Sequence, residues 1–369
     1  MTVILLGAAI VIVDLQQGVF HELVRTAQRE GLAYHLLVLG IAVALPVTGG
    51  RRGLLIASLP KGSRIDEKED IMTMDVMTKK EVLGVYQPGS AHMVGDGFPV
   101  RNLFPSNELD REVDPFLMLD YAGPRHFPPT EHPRGVGEHP HRGFETVTIM
   151  YEGAVAHRDS AGNAGVIGPG DVQWMTAASG VVHEEMHEAQ WARQGGTFRA
   201  IQLWVNLPQA HKMSAPAYQT LVNDAIPAID LEDGSGRLRV IAGTFRGRKG
   251  PARTCTPVEL YDLQLQAGAR FELTLPEGHN TSVFVLEGRV SVNSAVAGEA
   301  ELVVSKGQGS LVSLEANDHS RLLIMSGKPI NEPIARYGPF VMNTKAELVQ
   351  AVEDYQRGRM GHLSSPGAE

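Results

Sequence analysis

Two short stretches carry side chains that could hold a metal ion. His139-Pro140-His141 sets two imidazoles two residues apart, and His183-Glu184-Glu185 sets an imidazole and a carboxylate at the same spacing. In a β-strand, residues two apart point to one face. Each pair can therefore aim at a common point, while Glu184 points away. Two such pairs on neighbouring strands give three nitrogen donors and one carboxylate, a mixed set that suits iron, manganese, nickel, copper or zinc. With Fe2+ and neutral imidazoles the centre keeps a net positive charge. It could hold an anionic substrate oxygen and leave coordination positions open for a substrate or O2. Cys255 is the single cysteine, which excludes a closed zinc site of the Cys type, an intrachain disulfide and a CxxC motif.

Other candidates stand around this set. Glu145 shares strand parity with His141 and is read as a rival ligand or a group supporting the ligands. His187 shares parity with His183, but four strand residues span about 13 Å, too far for both to bind one metal. His157 follows the turn at Gly153 and is read as a structural or rim residue. His126 and His132 lie in a Pro-rich loop and are read as surface groups. Asp66, Glu67, Glu69 and Asp70 are read as a solvated acidic face.

The elements that must position these residues are mostly strands. VTIMYEG (147–153) ends in a turn. GVIGPGDVQWMTAASGVVHEEM (165–186) reads as strand, Gly-Pro-Gly turn, strand, turn, strand. RAIQLWVNL (199–207) alternates like a half-buried strand, and Gly- and Pro-punctuated strands continue through 249–278. VTIMYEG is echoed by VFVLEG (283–288) and GVIGPGDVQWM by LVVSKGQGSLVSL (302–314), which suggests a duplicated small β-barrel. Thr344-Lys345-Ala346-Glu347 has capping-box spacing and opens a helix with Leu348, Val349, Val352 and Tyr355 on one side.

The chain has 369 residues, 43% hydrophobic and 20% charged, enough for two or more packed domains. Its formal net charge of −9 argues against nonspecific phosphate binding, so no direct nucleic-acid partner is expected. The lone cysteine fits a reducing, cytoplasmic setting. Residues 1–76 differ in texture. MTVILLGAAIVIV is apolar, and 31–50 lacks Asp, Glu, Lys and Arg but contains His35 and Pro46. The preferred reading is a misassigned start, with translation beginning at Met72, Met74 or Met77. The alternatives are a membrane anchor and a soluble helical appendage.

HPHRGFETVTIMYEG, GPGDVQWMTAASGVVHEEM, IQLWVNLP and GPFVMNTKAELVQAV resemble the pirin family of the cupin superfamily, over about residues 79–357. The resemblance implies an all-β bicupin: two cupin-type barrels packed together, a short C-terminal helix and an atypical N-terminal extension. The expected parts are the extension (1–76), a metal-binding barrel (77–207), an inter-barrel segment (208–250), a metal-free barrel with the helix (251–357) and a tail (358–369). It implies that His139, His141, His183 and Glu185 bind one iron, and that Glu145 is the general cupin glutamate, kept without direct ligation. At the place matched to HPHRGFE the second barrel has GHNTSVF, with only His279, and Asp318-His319 follows later. His187 departs from the family pattern and is expected at the pocket rim. Two functions are implied. One is a quercetin 2,3-dioxygenase-type enzyme, a monomer that takes a phenolic substrate and O2, with Glu185 or Glu145 as general base. The other is an iron-dependent, redox-responsive regulator that docks on a protein partner.

Overall fold

The computed structural model describes residues 2–6, 9–13, 78–104 and 109–363. At the N-terminus, Thr2–Leu6 (β1) and Ala9–Val13 (β2) form an antiparallel pair. The apolar stretch 31–50 and the start sites Met72, Met74 and Met77 lie outside the described residues. Among those described, no helix is long and apolar enough to cross a membrane.

The remaining described residues form two barrels. Strands β3 (Val82–Tyr86), β4 (His92–Val94) and β5 (Phe98–Phe104) precede a short helix, α1 (Asp110–Val113). Then come β6 (Phe116–Phe127), β7 (Gly135–His141), β8 (Phe144–Glu152), β9 (Val155–Asp159), β10 (Ala164–Ile167), β11 (Val172–Thr176) and β12 (Val181–His187). After α2 (Ala189–Gln194) follow β13 (Gly196–Asn206), β14 (Ala217–Leu221), β15 (Ala228–Asp230), β16 (Gly236–Ala242), β17 (Thr244–Phe245) and β18 (Arg248–Lys249). The rest are β19 (Val258–Leu265), β20 (Arg270–Thr274), β21 (Asn280–Glu287), β22 (Val290–Val292), β23 (Ala295–Ala297), β24 (Leu302–Ser305), β25 (Leu311–Ala316), β26 (Ser320–Gly327), β27 (Ala335–Tyr337), β28 (Phe340–Met342) and α3 (Lys345–Gln356).

The duplication is complete in topology. The first barrel joins a sheet β14-β11-β8-β13-β6-β5-β4 to a sheet β10-β9-β12-β7. The second joins β3-β24-β21-β26-β19-β16-β15 to β23-β22-β25-β20. The long sheets bury one face against each other: Val147, Ile149, Trp174 and Leu203 share a core with Phe284, Leu302, Leu323 and Met325. The opposite faces close the two barrel interiors.

The strand pairing corrects two readings. The second barrel begins before residue 251, because β15 and β16 extend its sheet, and β3, which precedes the first barrel, closes its far edge. Strand β14 belongs to the first barrel, so 208–250 is not a separate segment. The second echo is also out of phase by one strand. The partner of the Gly168-Pro169-Gly170-Asp171 turn is Gly298-Glu299-Ala300-Glu301, where the Glu301 carboxylate accepts from Gly298 N at 2.7 Å as Asp171 accepts from Gly168 N at 2.9 Å. Gly170 and Ala300 both take positive φ, at 89° and 63°.

Helix α3 starts as expected: Thr344 and Glu347 form a capping box. Its buried face differs. Leu348, Ala351 and Asp354 are buried, whereas Val349 is 60% exposed and turns to solvent. Asp354 faces inward because Arg142, the residue after ligand candidate His141, reaches it at 2.9 Å. The helix thus packs against the first barrel, with Leu348, Ala351 and Met360 in one cluster with Val182.

Candidate metal centre

Strands β7 and β12 lie side by side with His139 opposite His183 and His141 opposite Val181. Between His183 and Glu185 the register shifts, so that two residues of β7, Gly137 and Glu138, oppose Glu184 alone. Such a bulge re-aims the side chains beside it. His139 Nδ1 lies 2.8 Å from Gly137 O and donates to it, which leaves Nε2 as the free lone pair. The ring centres of His139, His141 and His183 are 4.2–4.9 Å apart. One nitrogen from each ring lies within 4.8 Å of the others.

His141 and His183 are buried, and His141 Nδ1 and His183 Nε2 have no hydrogen-bond partner. Burial, reinforced by the neighbouring imidazoles, holds both well below the usual histidine pKa. Both are therefore neutral at neutral pH, the form that ligates. Buried polar atoms are ordinarily satisfied. Converging neutral imidazoles that each keep one unpartnered nitrogen fit a cation that the protein does not itself supply.

Glu185 is buried beside His183 but falls in a second set, His157, His183 and Glu185, again within 4.8 Å. The four expected ligands are therefore three imidazoles in one cluster, with the carboxylate joined to it through His183. Glu185 is held from the barrel wall: Oε1 accepts from Thr148 Oγ1 at 3.3 Å and Gln173 Nε2 at 3.4 Å, and Oε2 from Gln202 Nε2 at 3.0 Å. Glu184 points outward to Arg158.

His157 is not a rim residue. It is buried inside the barrel, 3.4 Å from His183 by Nδ1 and 3.4 Å from Asp159 by Nε2, and it stacks on Tyr218. The signal was available: His157-Arg158-Asp159 is another i,i+2 pair on a strand that starts afresh after Gly153. His187 is not at the rim either. It donates Nε2–H to Gly97 O at 2.9 Å within a cage of Phe98, Phe127, Trp191 and Phe198. His126 and His132 are exposed.

Glu145 stands on the wrong face to be a rival ligand or to support the ligands, and its place agrees with the expectation that it is kept without direct ligation. Gly143, at φ 90°, separates β7 from β8, so parity counted from His141 does not carry across. Glu145 sits opposite Thr176 and accepts its hydroxyl at 2.7 Å. It shares its side of β8 with Val147 and Ile149 of the inter-barrel core, and Thr146 and Thr148 take the other side. Burial pushes its pKa up to about 7, with Thr176 and Trp174 pulling the other way.

The second barrel tests the assignment internally. Following the registers, His139 and His141 correspond to Leu273 and Leu275, His183 and Glu185 to Val312 and Leu314, and His157 to Val292. All five are buried in that barrel's apolar core. The place matching His139-Pro140-His141 is therefore Leu273-Thr274-Leu275 rather than GHNTSVF. His279 instead pairs with Glu259 at 3.0 Å.

Comparison with known proteins agrees with this architecture. The family model "Pirin" matches residues 97–205, and "Pirin C-terminal cupin domain" matches 260–361. A Pseudomonas aeruginosa protein named "Putative quercetin 2,3-dioxygenase" is 52% identical over 280 residues, covering 76% of this chain and 98% of that protein. A pirin-like protein of Solanum lycopersicum is 41% identical over 72% of this chain and 88% of its own length. The crystal structure of quercetin 2,3-dioxygenase from Acinetobacter baumannii superposes with a TM-score of 0.76 at 48% identity, covering 78% of this chain and all of that one. With two barrels of one topology and a histidine cluster confined, among the described residues, to the first, the chain belongs to the pirin family of bicupins.

Proposed function

We propose that the first barrel holds one transition metal, with Fe2+ the preferred ion, and that it opens a flavonol-like phenol with O2. One observation carries the metal assignment. Imidazole and carboxylate donors fill positions at which the same fold, repeated in the second barrel, places Leu273, Leu275, Val292, Val312 and Leu314. The names of the relatives supply the substrate class. His139, His141 and His183 would hold the ion, with Glu185 as the carboxylate ligand. When bound, the metal would act as a Lewis acid toward a phenolic hydroxyl and as the redox partner of O2.

The protein's own part is placement and proton handling. Glu185 would take the hydroxyl proton on a carboxylate oxygen, because it is the acid group beside His183 and its plane is fixed by Thr148, Gln173 and Gln202. Phe144 and Trp204 flank His141 at 5.1 and 5.3 Å and give the site an apolar side. Glu145, across β8, takes no part. The single exposed thiol, Cys255, fits a reducing cytoplasm.

The test is flavonol-dependent oxygen uptake by the full chain reconstituted anaerobically with Fe2+. Wild type should consume O2 with quercetin, and Glu185→Gln should lose at least about 100-fold in rate. A metal-replete protein that consumes no O2 with any of a panel of flavonols overturns the enzyme reading in favour of an iron-dependent binding protein.

A further inference from the structure

A row of polar side chains crosses the interior wall of the first barrel, one from each of five strands. Asn102 lies opposite Asp120, Asp120 opposite Gln202, Gln202 opposite Thr148, and Thr148 opposite Gln173. The second barrel carries the same row as Val240, Tyr261, Ile324, Val283 and Val303, all in its apolar core. Polar groups inside a barrel cost free energy unless they are bonded. The row therefore serves what the first barrel contains and the second does not.

Three of the five are explained, since Thr148, Gln173 and Gln202 donate to Glu185. Asn102 and Asp120 make no contact with it. Asn102 Nδ2 donates to Asp120 Oδ1 at 2.8 Å and fixes the carboxyl plane. Asp120 Oδ2 has no hydrogen-bond partner among the described residues. The row is sealed at Thr148 and Gln173 and becomes half-buried at Gln202, Asp120 and Asn102, so solvent reaches the row from the Asp120 end. Burial raises the Asp120 pKa, with Asn102 and then the exposed His92 opposing.

We infer that Asp120 is the substrate-orienting carboxylate of this site, accepting a hydroxyl from a polyphenol whose other end lies at Glu185 and the histidines. This rests on the phenolic-substrate reading above and narrows it. Asp120 is two strands away from Thr148, about 10 Å along the wall. A one-ring phenol is shorter than this distance; a fused-ring phenol with hydroxyls at both ends spans it. Asn102 is a positioning residue that acts through Asp120.

The experiment compares quercetin with 3-hydroxyflavone, which keeps a single hydroxyl, in anaerobic binding titrations of the Fe2+-loaded full chain. Wild type should prefer quercetin by about 10-fold to 100-fold, the scale of a hydrogen bond to a charged group. Asp120→Asn should abolish that preference while metal content and 3-hydroxyflavone affinity stay at wild-type values. Asn102→Ala should lose part of it, and Asp120→Glu should retain part. A preference unchanged in Asp120→Asn overturns the assignment and leaves the phenolic reading standing. Equal weakening toward both ligands with loss of metal also overturns it, since that is structural damage. Wild type that binds neither flavonol sinks both readings.

Discussion

At the residue scale, the account turns on which side of a strand each group faces. His141 and His183 stay neutral inside the barrel, with His141 Nδ1 and His183 Nε2 left without a hydrogen-bond partner. Replacing either with alanine should cut metal content to a small fraction of wild type with the circular dichroism spectrum unchanged; loss of fold with metal still bound would mark them as packing residues. Glu145 should behave in the opposite way. Its pKa rises on folding from 4.5 to about 7, so the folded protein binds the proton more tightly than the unfolded chain. Its contribution to stability is full below pH 4.5, falls as pH rises through 7, and stays lost above that. A shift of that size is worth on the order of 3 kcal/mol. Glu145→Gln should therefore gain stability relative to wild type increasingly as pH rises from 4.5, reaching about that amount above pH 7, with metal content unchanged. Urea unfolding of both proteins across that range, with metal analysis alongside, decides it. Metal loss in Glu145→Gln would return this residue to the site.

At the element scale, the end of β7 is clamped from outside the barrel. Arg142 donates to Ser179 O at 2.6 Å and to Asp354 of α3, and Asp354 also accepts from Gln350 and Arg359. Losing a hydrogen-bonded, charged partner at the edge of the barrel costs about 1.5–3 kcal/mol. Asp354→Ala should lower stability by that order and weaken metal retention against a chelator, because His141 precedes Arg142. Glu353→Ala, which breaks an exposed pair with Arg357, should cost under about 0.5 kcal/mol; equal effects would show that the clamp does nothing for the site. The shared face of His139 with His141, and of His183 with Glu185, was legible in the sequence because each pair lies within one strand, where spacing alone sets the face. Glu145 was misread because the count ran through Gly143, where a new strand begins. His157 was undervalued for the same reason in reverse, since Gly153 restarts the count in its favour. Asp354 could not be placed by apolar periodicity, because an ion pair rather than a hydrophobic contact turns it inward. The edge role of β3 in the second barrel is a non-local pairing that no short window contains.

At the scale of the whole molecule, two copies of one topology differ in what lines their interiors. The second keeps an apolar interior, and its long sheet backs the sheet that carries Thr148, Gln173 and Gln202. Phe284 of the second barrel meets Tyr121 of the first at 5.2 Å within their common core. Phe284→Ala should destabilise by about 3–5 kcal/mol, and calorimetry should still show both barrels unfolding in one transition; two separated transitions would mean that the shared core does not couple them. The most direct test of the central claim is the metal stoichiometry of the full chain after anaerobic reconstitution with Fe2+ and removal of loosely bound ion. The account predicts one iron per chain in wild type and none in a His141→Ala, His183→Ala double variant, with Leu273→Ala and Val312→Ala, at the equivalent positions of the second barrel, retaining the full complement. Iron that survives the double histidine substitution, or a second equivalent bound by wild type, would contradict it.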